Sequence, residues 1–241
     1  MSLPRLICFP YAGGNRHVFA PWQSSLQGKI NLVAPELPGR GRRIMEPAFN
    51  RVHEAVDWLM IELRDHLSGD FSFWGHSMGA LLAYELTREL LRRTGKQPRH
   101  VFVTAALPPG VPRRAEPIHA LDDSALISKL SQMNGTPDGV LSDRELMAAL
   151  LPCIRADFAV CETHVWTPQV AKLHVPITAI GGDRDQHIPL EELAGWHRYT
   201  SNETRVLSMK GDHFFLRDQV DRLTELFIAT LTSPASVRSP A

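Results

Sequence analysis

Apolar residues along this chain fall into two rhythms that take turns. Continuous runs at 5–9 (Arg5-Leu6-Ile7-Cys8-Phe9), 30–34, 71–74, 100–105, 175–182 and 204–209 have the length and residue content of buried strands. Between them apolar positions recur at helical spacing. Val18, Phe19, Trp22 and Leu26 form one set, and Val52, Ala55, Val56, Leu59 and Leu63, within 50–67, form a second. An Ala- and Leu-rich run follows Met78, and the last set is Val220, Leu223, Leu226, Phe227 and Leu231. Strands alternating with helices predict an α/β chain: a mostly parallel central sheet with helices on both faces. A length of 241 residues fits one such domain with a sizeable core.

The rhythm breaks once. Pro108-Pro109-Gly110 ends regular structure, and strand signals vanish from about 111 to 166. Helical patterns replace them at Asp123 to Met133, Ser142 to Ile154 and Arg155 to His164, with Gly135-Thr136-Pro137-Asp138-Gly139 separating the first two. Ser142 and Glu145 make a capping box for the second. A helical insertion between two sheet strands reads as a lid over a site. Leu130, Met133, Leu146 and Leu150 either pack the insertion or line a pocket beneath it. The Pro- and Ser-rich tail at 233–241 is expected to be disordered.

Candidate chemistry sits where strands end. Phe71-Ser72-Phe73-Trp74 runs into Gly75-His76-Ser77-Met78-Gly79 and then into a helix. This is the Gly-x-Ser-x-Gly nucleophile elbow in its strand–turn–helix context, the mark of the α/β-hydrolase fold. A tight turn holds Ser77 in a strained conformation with its Oγ clear of the sheet. Glycines at 75 and 79 let helix and strand pass closely. The N–H of Met78, at the head of the helix, is free to stabilise an oxyanion. The loop Pro10-Tyr11-Ala12-Gly13-Gly14-Asn15 after the first strand is where a second donor belongs, from Ala12 or, failing that, Gly13.

The order Ser, Asp, His places an acid after a late strand and a base after the last one. In Gly182-Asp183-Arg184-Asp185 two aspartates compete; the turn favours Asp185, with Asp183 bonding its own backbone. Of eleven histidines, His213 lies on the loop after the last strand and completes the order. His76 points away from the Ser77 hydroxyl, and His187 flanks Asp185. Arg88, Arg92 and Arg93 crowd a helix C-terminus, where cations meet the dipole, and read as structural. Cys8, Cys153 and Cys161 lack metal-ligand spacing and are odd in number, which suits reduced, structural thiols in a cytoplasmic protein.

Lys plus Arg and Asp plus Glu balance at 26 each, so the charge does not suggest a nucleic-acid or membrane-surface binder. No apolar run is long enough to cross a bilayer, and no signal-peptide core follows Met1. A monomer is expected, since no long apolar face stands out. The one basic cluster, Arg40, Arg42 and Arg43 in Pro35-Glu36-Leu37-Pro38-Gly39-Arg40-Gly41-Arg42-Arg43, suits either an acidic partner or a solvated loop.

Taken together, Phe9-Pro10-Tyr11-Ala12-Gly13-Gly14, the Pro-Gly-Arg-Gly-Arg-Arg loop, Gly75-His76-Ser77-Met78-Gly79-Ala80, Leu151-Pro152 with Arg155-Ala156-Asp157-Phe158, Gly181-Gly182-Asp183-Arg184-Asp185 and His213-Phe214-Phe215-Leu216 resemble the type II thioesterases of polyketide synthase and non-ribosomal peptide synthetase systems. The resemblance covers nearly the whole chain. It implies a serine hydrolase that clears stalled or wrong acyl groups from the phosphopantetheine arms of acyl or peptidyl carrier proteins, using Ser77, Asp185 and His213, without metal or bound cofactor. It also implies a docking role for Arg40, Arg42 and Arg43, since carriers are acidic. One departure is Asp212, where the family commonly has glycine before the histidine. The rival readings are a general carboxylesterase, an acyltransferase with the same triad, and a non-catalytic carrier-binding scaffold.

Overall fold

The computed structural model describes residues 2–112, 116–166 and 172–233. The expected tail therefore lies, apart from Ser233, outside the described residues. Six strands form one sheet: β1 Arg5–Phe9, β2 Asn31–Val33, β3 Phe71–His76, β4 Val101–Thr104, β5 Ile177–Gly182 and β6 Thr204–Met209. Their order is β2-β1-β3-β4-β5-β6 and every pairing is parallel. Because strands are parallel, all their C-terminal ends share one edge. Because β1 lies between β2 and β3, the chain reverses its direction of winding there, and the crevice above the β1 and β3 ends is the topological switch point.

Period-two alternation sorts the strand side chains into two cores. Ile7, Phe9, Phe71, Phe73, Val101, Val103, Ile177 and Ala179 face one layer. Leu6, Cys8, Trp74, Phe102 and Ile180 face the other. The first layer is built by α2 Val52–Glu62 and α3 Met78–Thr94, the second by α1 Gln23–Leu26 and α8 Val220–Leu231. The helix expected through Val18 to Leu26 is instead a 3-10 segment, Arg16–Trp22, followed by the single turn of α1. Pro21 lies within it and lacks the N–H that a continuous α-helix needs there. Helix α2 is shorter than its pattern, yet Leu63 and Leu67 beyond its end are still buried.

The insertion between β4 and β5 holds α4 Asp123–Gln132, the short α5 Asp138–Leu141 and α6 Arg144–Glu162; the short α7 Leu190–Leu193 follows β5. The two helices expected over 142–164 are one helix that runs through Pro152. Its cap is Asp143, which accepts from the N–H of Leu146, rather than Ser142. Leu126, Leu130, Met147, Leu151 and Ile154 make a small core of their own. Leu130 thus packs the insertion, Leu150 lies against that core, and Leu146 is largely exposed. No helix among the described residues is long and apolar enough to cross a membrane.

At the opposite edge of the sheet from the site, His100 is buried, bonded through Nε2 to Thr178 Oγ1 at 2.8 Å. Burial, aided by the positive charges of Arg205 and Arg99, holds its pKa down to about 4, against 6.5 when unconstrained. Between those values the unfolded chain takes up a proton that the folded one refuses, so stability falls as pH drops from about 6.5 toward 4, by about 3 kcal/mol from this residue. His100→Gln keeps a polar partner for Thr178 and is expected to flatten that part of the profile. Urea midpoints at pH 7, 5.5 and 4 measure it, and an unchanged slope in the variant would assign the acid loss to other groups.

Candidate active site

The turn between β3 and α3 is sharp enough to force Ser77 to φ 53°, ψ −111°, a region that costs a residue with a side chain on the order of 1–3 kcal/mol. The N–H of Ser77 is anchored to Thr104 O at 2.8 Å, and its side chain makes no helix-capping bond. Ser77 is half-buried, while the residues on either side are buried. The two glycines have a steric reason. A Cβ on Gly79 would lie 2.0 Å from the carbonyl oxygen of Phe9, and one on Gly75 would lie 2.0 Å from that of Gly79. The head of α3 therefore presses against the end of β1, at the switch point. Met78 is the first residue of α3, so its N–H has no intrahelical acceptor.

Loops after β5 and β6 reach the same edge. Asp185 Oδ2 accepts from His213 Nδ1 at 2.7 Å. Its Oδ1 accepts the N–H groups of His187 (2.8 Å) and Ile188 (3.1 Å), which lock the carboxylate's orientation. Burial works to raise the Asp185 pKa, but the bond and charge of His213 with the two N–H groups outweigh it and hold the carboxyl below its usual range. Asp183 does not bond its own backbone; within the turn it meets the Arg184 side chain, at 3.8 Å. Its Oδ1 accepts from Gly211 N at 2.9 Å and so ties the β5 loop to the β6 loop. His187 is exposed beside the pair. Asp212 accepts the N–H of Phe214 at 2.8 Å and so closes a local turn next to His213.

His76 does point away from the serine hydroxyl, and it has a definite task there. It is fully buried, with Nε2 2.8 Å from the carbonyl oxygen of His213 and Nδ1 2.8 Å from Thr104 Oγ1. Burial, with the field of His213, pushes its pKa well below 6.5. The ring is therefore neutral; with its proton on Nε2 it donates to the His213 carbonyl, and Nδ1 then competes for the Thr104 hydroxyl with the Gly75 carbonyl, which lies 2.9 Å from that hydroxyl. His76 thus props the backbone of His213 from below.

The loop after β1 turns from Tyr11 to Gly14, closed by Gly14 N–H donating to Tyr11 O at 2.8 Å, with Gly13 at φ +76°. Gly13 N–H donates to Asp157 Oδ2 at 2.7 Å. Of the two candidate donors, Gly13 is therefore engaged, whereas no acceptor among the described residues takes the N–H of Ala12. Asp157 itself lies in α6 and forms a buried, bidentate pair with Arg40 at 2.7 and 2.9 Å. That pairing corrects the expectation that Arg40 faces a partner: the residue is 5 % exposed, and both its terminal nitrogens are taken by Asp157 and the Gly14 carbonyl. Arg43 lies over the Trp58 ring and bridges Glu46 and Glu62. Arg42 is the exposed member of the three. A charge at 157 on the buried face of α6, among Cys153, Val160 and Cys161, was the signal for a hidden partner. Cys8 and Cys153 are buried, and burial raises both thiols, Cys153 to about 12, so neither suits a nucleophile.

A strained serine above a parallel sheet's switch point, with an acid–histidine pair on the later loops, defines an α/β-hydrolase. Residues 4–231 match the model of the thioesterase domain family. The chain is 36% identical to linear gramicidin dehydrogenase LgrE of Brevibacillus parabrevis over 95% of its length and 88% of that protein. It is 35% identical to thioesterase PikA5 of Streptomyces venezuelae, over 90% of this chain and 77% of the relative. Among solved structures, the type II thioesterase BorB from the borrelidin biosynthetic cluster superposes with a TM-score of 0.87 at 31% identity, over 95% and 93% of the two chains. This protein belongs to the thioesterase family, and its fold is the α/β-hydrolase fold of its neighbours.

The Gly79 contact yields a stability test. Gly79→Ala puts a methyl group into backbone that cannot yield as a side chain would, and is expected to cost about 3 kcal/mol, the upper end for overpacking, in urea unfolding. A variant as stable as the native protein would mean that α3 slides back from β1 freely.

Proposed function

We propose that this protein is an editing serine thioesterase, which hydrolyses stalled or aberrant acyl groups from phosphopantetheinylated carrier proteins of polyketide or non-ribosomal peptide assembly lines. The observation that carries the reading is that four connections end at one sheet edge: the turn bearing Ala12 after β1, strained Ser77 after β3, and the loops after β5 and β6 that bond Asp185 to His213. Membership of the thioesterase family and similarity to proteins of polyketide and peptide biosynthesis support this choice of substrate class.

In this mechanism Asp185 keeps the proton of His213 on Nδ1, which leaves Nε2 as the base. Nε2 takes the Ser77 proton as Oγ attacks the thioester carbonyl. The N–H groups of Met78 and Ala12 hold the oxyanion, each contributing about 3–4 kcal/mol in comparable sites. Collapse breaks the C–S bond, and the pantetheine thiolate leaves with the proton from His213. Water, deprotonated by the same nitrogen, then attacks the acyl-Ser77 ester; the C–Oγ bond breaks, Nε2 returns its proton to Ser77, and a free acid is released. No metal or bound cofactor enters these steps. Helices α4 to α6 serve as the lid over the acyl chain. Exposed Arg42 meets the acidic carrier.

Release of free acid from an acetyl-loaded carrier protein tests this reading. The native enzyme is expected to clear the carrier. Ser77→Ala is expected to lose activity by at least about 10⁴-fold and Asp185→Asn by about 10³- to 10⁴-fold in kcat. Cleavage of a simple oxygen ester with an untouched carrier would point to a general esterase instead. A transferred rather than free acyl group would point to an acyltransferase, and binding without cleavage to a scaffold.

A further inference from the structure

The buried pair Arg40–Asp157 joins three parts of the chain that have no other reason to move together. Asp157 belongs to α6 of the insertion, Arg40 to the loop after β2, and both bond the turn after β1. The contacts are specific. Asp157 Oδ2 accepts from Gly13 N–H at 2.7 Å and from Arg40 Nη1 at 2.9 Å, while Oδ1 accepts from Nη2 at 2.7 Å. The same Nη1 donates to Gly14 O at 2.8 Å. Against this polar grip, Ile154, one turn earlier on α6, sits where a Cβ on Gly13 would be only 3.1 Å away. The turn is thus held on both sides of its Gly13–Gly14 peptide: Gly13 N–H by the carboxylate, Gly14 C=O by the guanidinium.

Burying two charges is a poor way to gain stability, since a packed apolar pair would serve as well. What an apolar pair cannot do is orient backbone dipoles. We propose that the Arg40–Asp157 pair is a positioning device for the oxyanion site. By capturing the N–H of Gly13 it commits that group to the insertion, leaves the N–H of Ala12 as the second donor, and fixes its direction. Because one partner rides on α6, the donor is correctly aimed only while that helix is seated. Arg40 and Asp157 are positioning residues and touch no reacting atom. The inference rests on the proposed serine mechanism, in which Ala12 is an oxyanion donor.

The test uses Arg40→Met/Asp157→Leu, which removes both charges and leaves no uncompensated ion, with Asp157→Asn as a milder variant that keeps an acceptor for Gly13. Circular dichroism and melting establish that each is folded. With acetyl-loaded carrier, the double variant is expected to lose about 10- to 100-fold in kcat with KM held within about twofold, and Asp157→Asn to lose less. Retained kcat, or a change in KM alone, would overturn the proposal. A second readout needs no turnover. Propylboronic acid forms a tetrahedral adduct on the serine oxygen, and the Ala12 amide proton is expected to move downfield in the native protein and not in the double variant. If the carrier is cleared by the native enzyme but Ala12 does not respond to the adduct, the positioning proposal fails while the thioesterase reading stands. If Ala12 responds and the carrier is untouched, it is the substrate class that fails.

Discussion

Everything at the site depends on how closely the head of α3 can approach the end of β1. With bare backbone at Gly79 and Gly75, the helix begins hard against the Phe9 carbonyl, and Ser77 is squeezed into a conformation that few residues tolerate. The strain is sustained because the turn is over-determined. Its N–H is tied to β4, its strand is buried on both faces, and its helix contributes a row of residues to the larger core. From that position Ser77 stands where a reversal of winding opens a crevice in the sheet. Every parallel strand then delivers its following loop to the same edge, so residues 12, 77, 185 and 213 can meet.

Around this apolar frame the polar groups form a chain of supports. Asp185 holds His213 by its side chain, and His76 holds the same residue by its carbonyl. Asp183 ties the two loops that carry the pair. On the other flank, Asp157 and Arg40 hold the turn after β1. Each buried charge or imidazole has partners with definite directions, and low dielectric makes those directions costly to change. Thioester hydrolysis needs that rigidity, because an oxyanion donor misplaced by a fraction of an ångström loses most of its value.

The neutral surface balance conceals a local arrangement. Arg88, Arg92 and Arg93 pair with glutamates and an aspartate on neighbouring turns and on α2, so the cluster at the end of α3 is spent on its own helix packing. Arg43 is spent on Glu46, Glu62 and Trp58. Arginine count along a loop is thus a poor guide to free charge, and Arg42 is the member of the three left exposed.

Much of the fold was legible in the residues themselves. Runs such as 204–209 and the elbow carry local signals: apolar period, Gly at a close crossing, the order of Ser, Asp and His. Boundaries failed where a local signal had a nearby rival, as when Asp143 rather than Ser142 capped α6 and the helix ran on through Pro152. That the Gly13 N–H is taken by Asp157, and that Arg40 is buried against the same carboxylate, were beyond sequence reasoning. Arg40 and Asp157 are 117 residues apart, and nothing in either neighbourhood names the other. Chain pattern determines which residues are buried and which turns are possible, because those depend on neighbours a few positions away. Which buried charges find each other, and which N–H is left over for chemistry, is decided only when distant segments pack into one place.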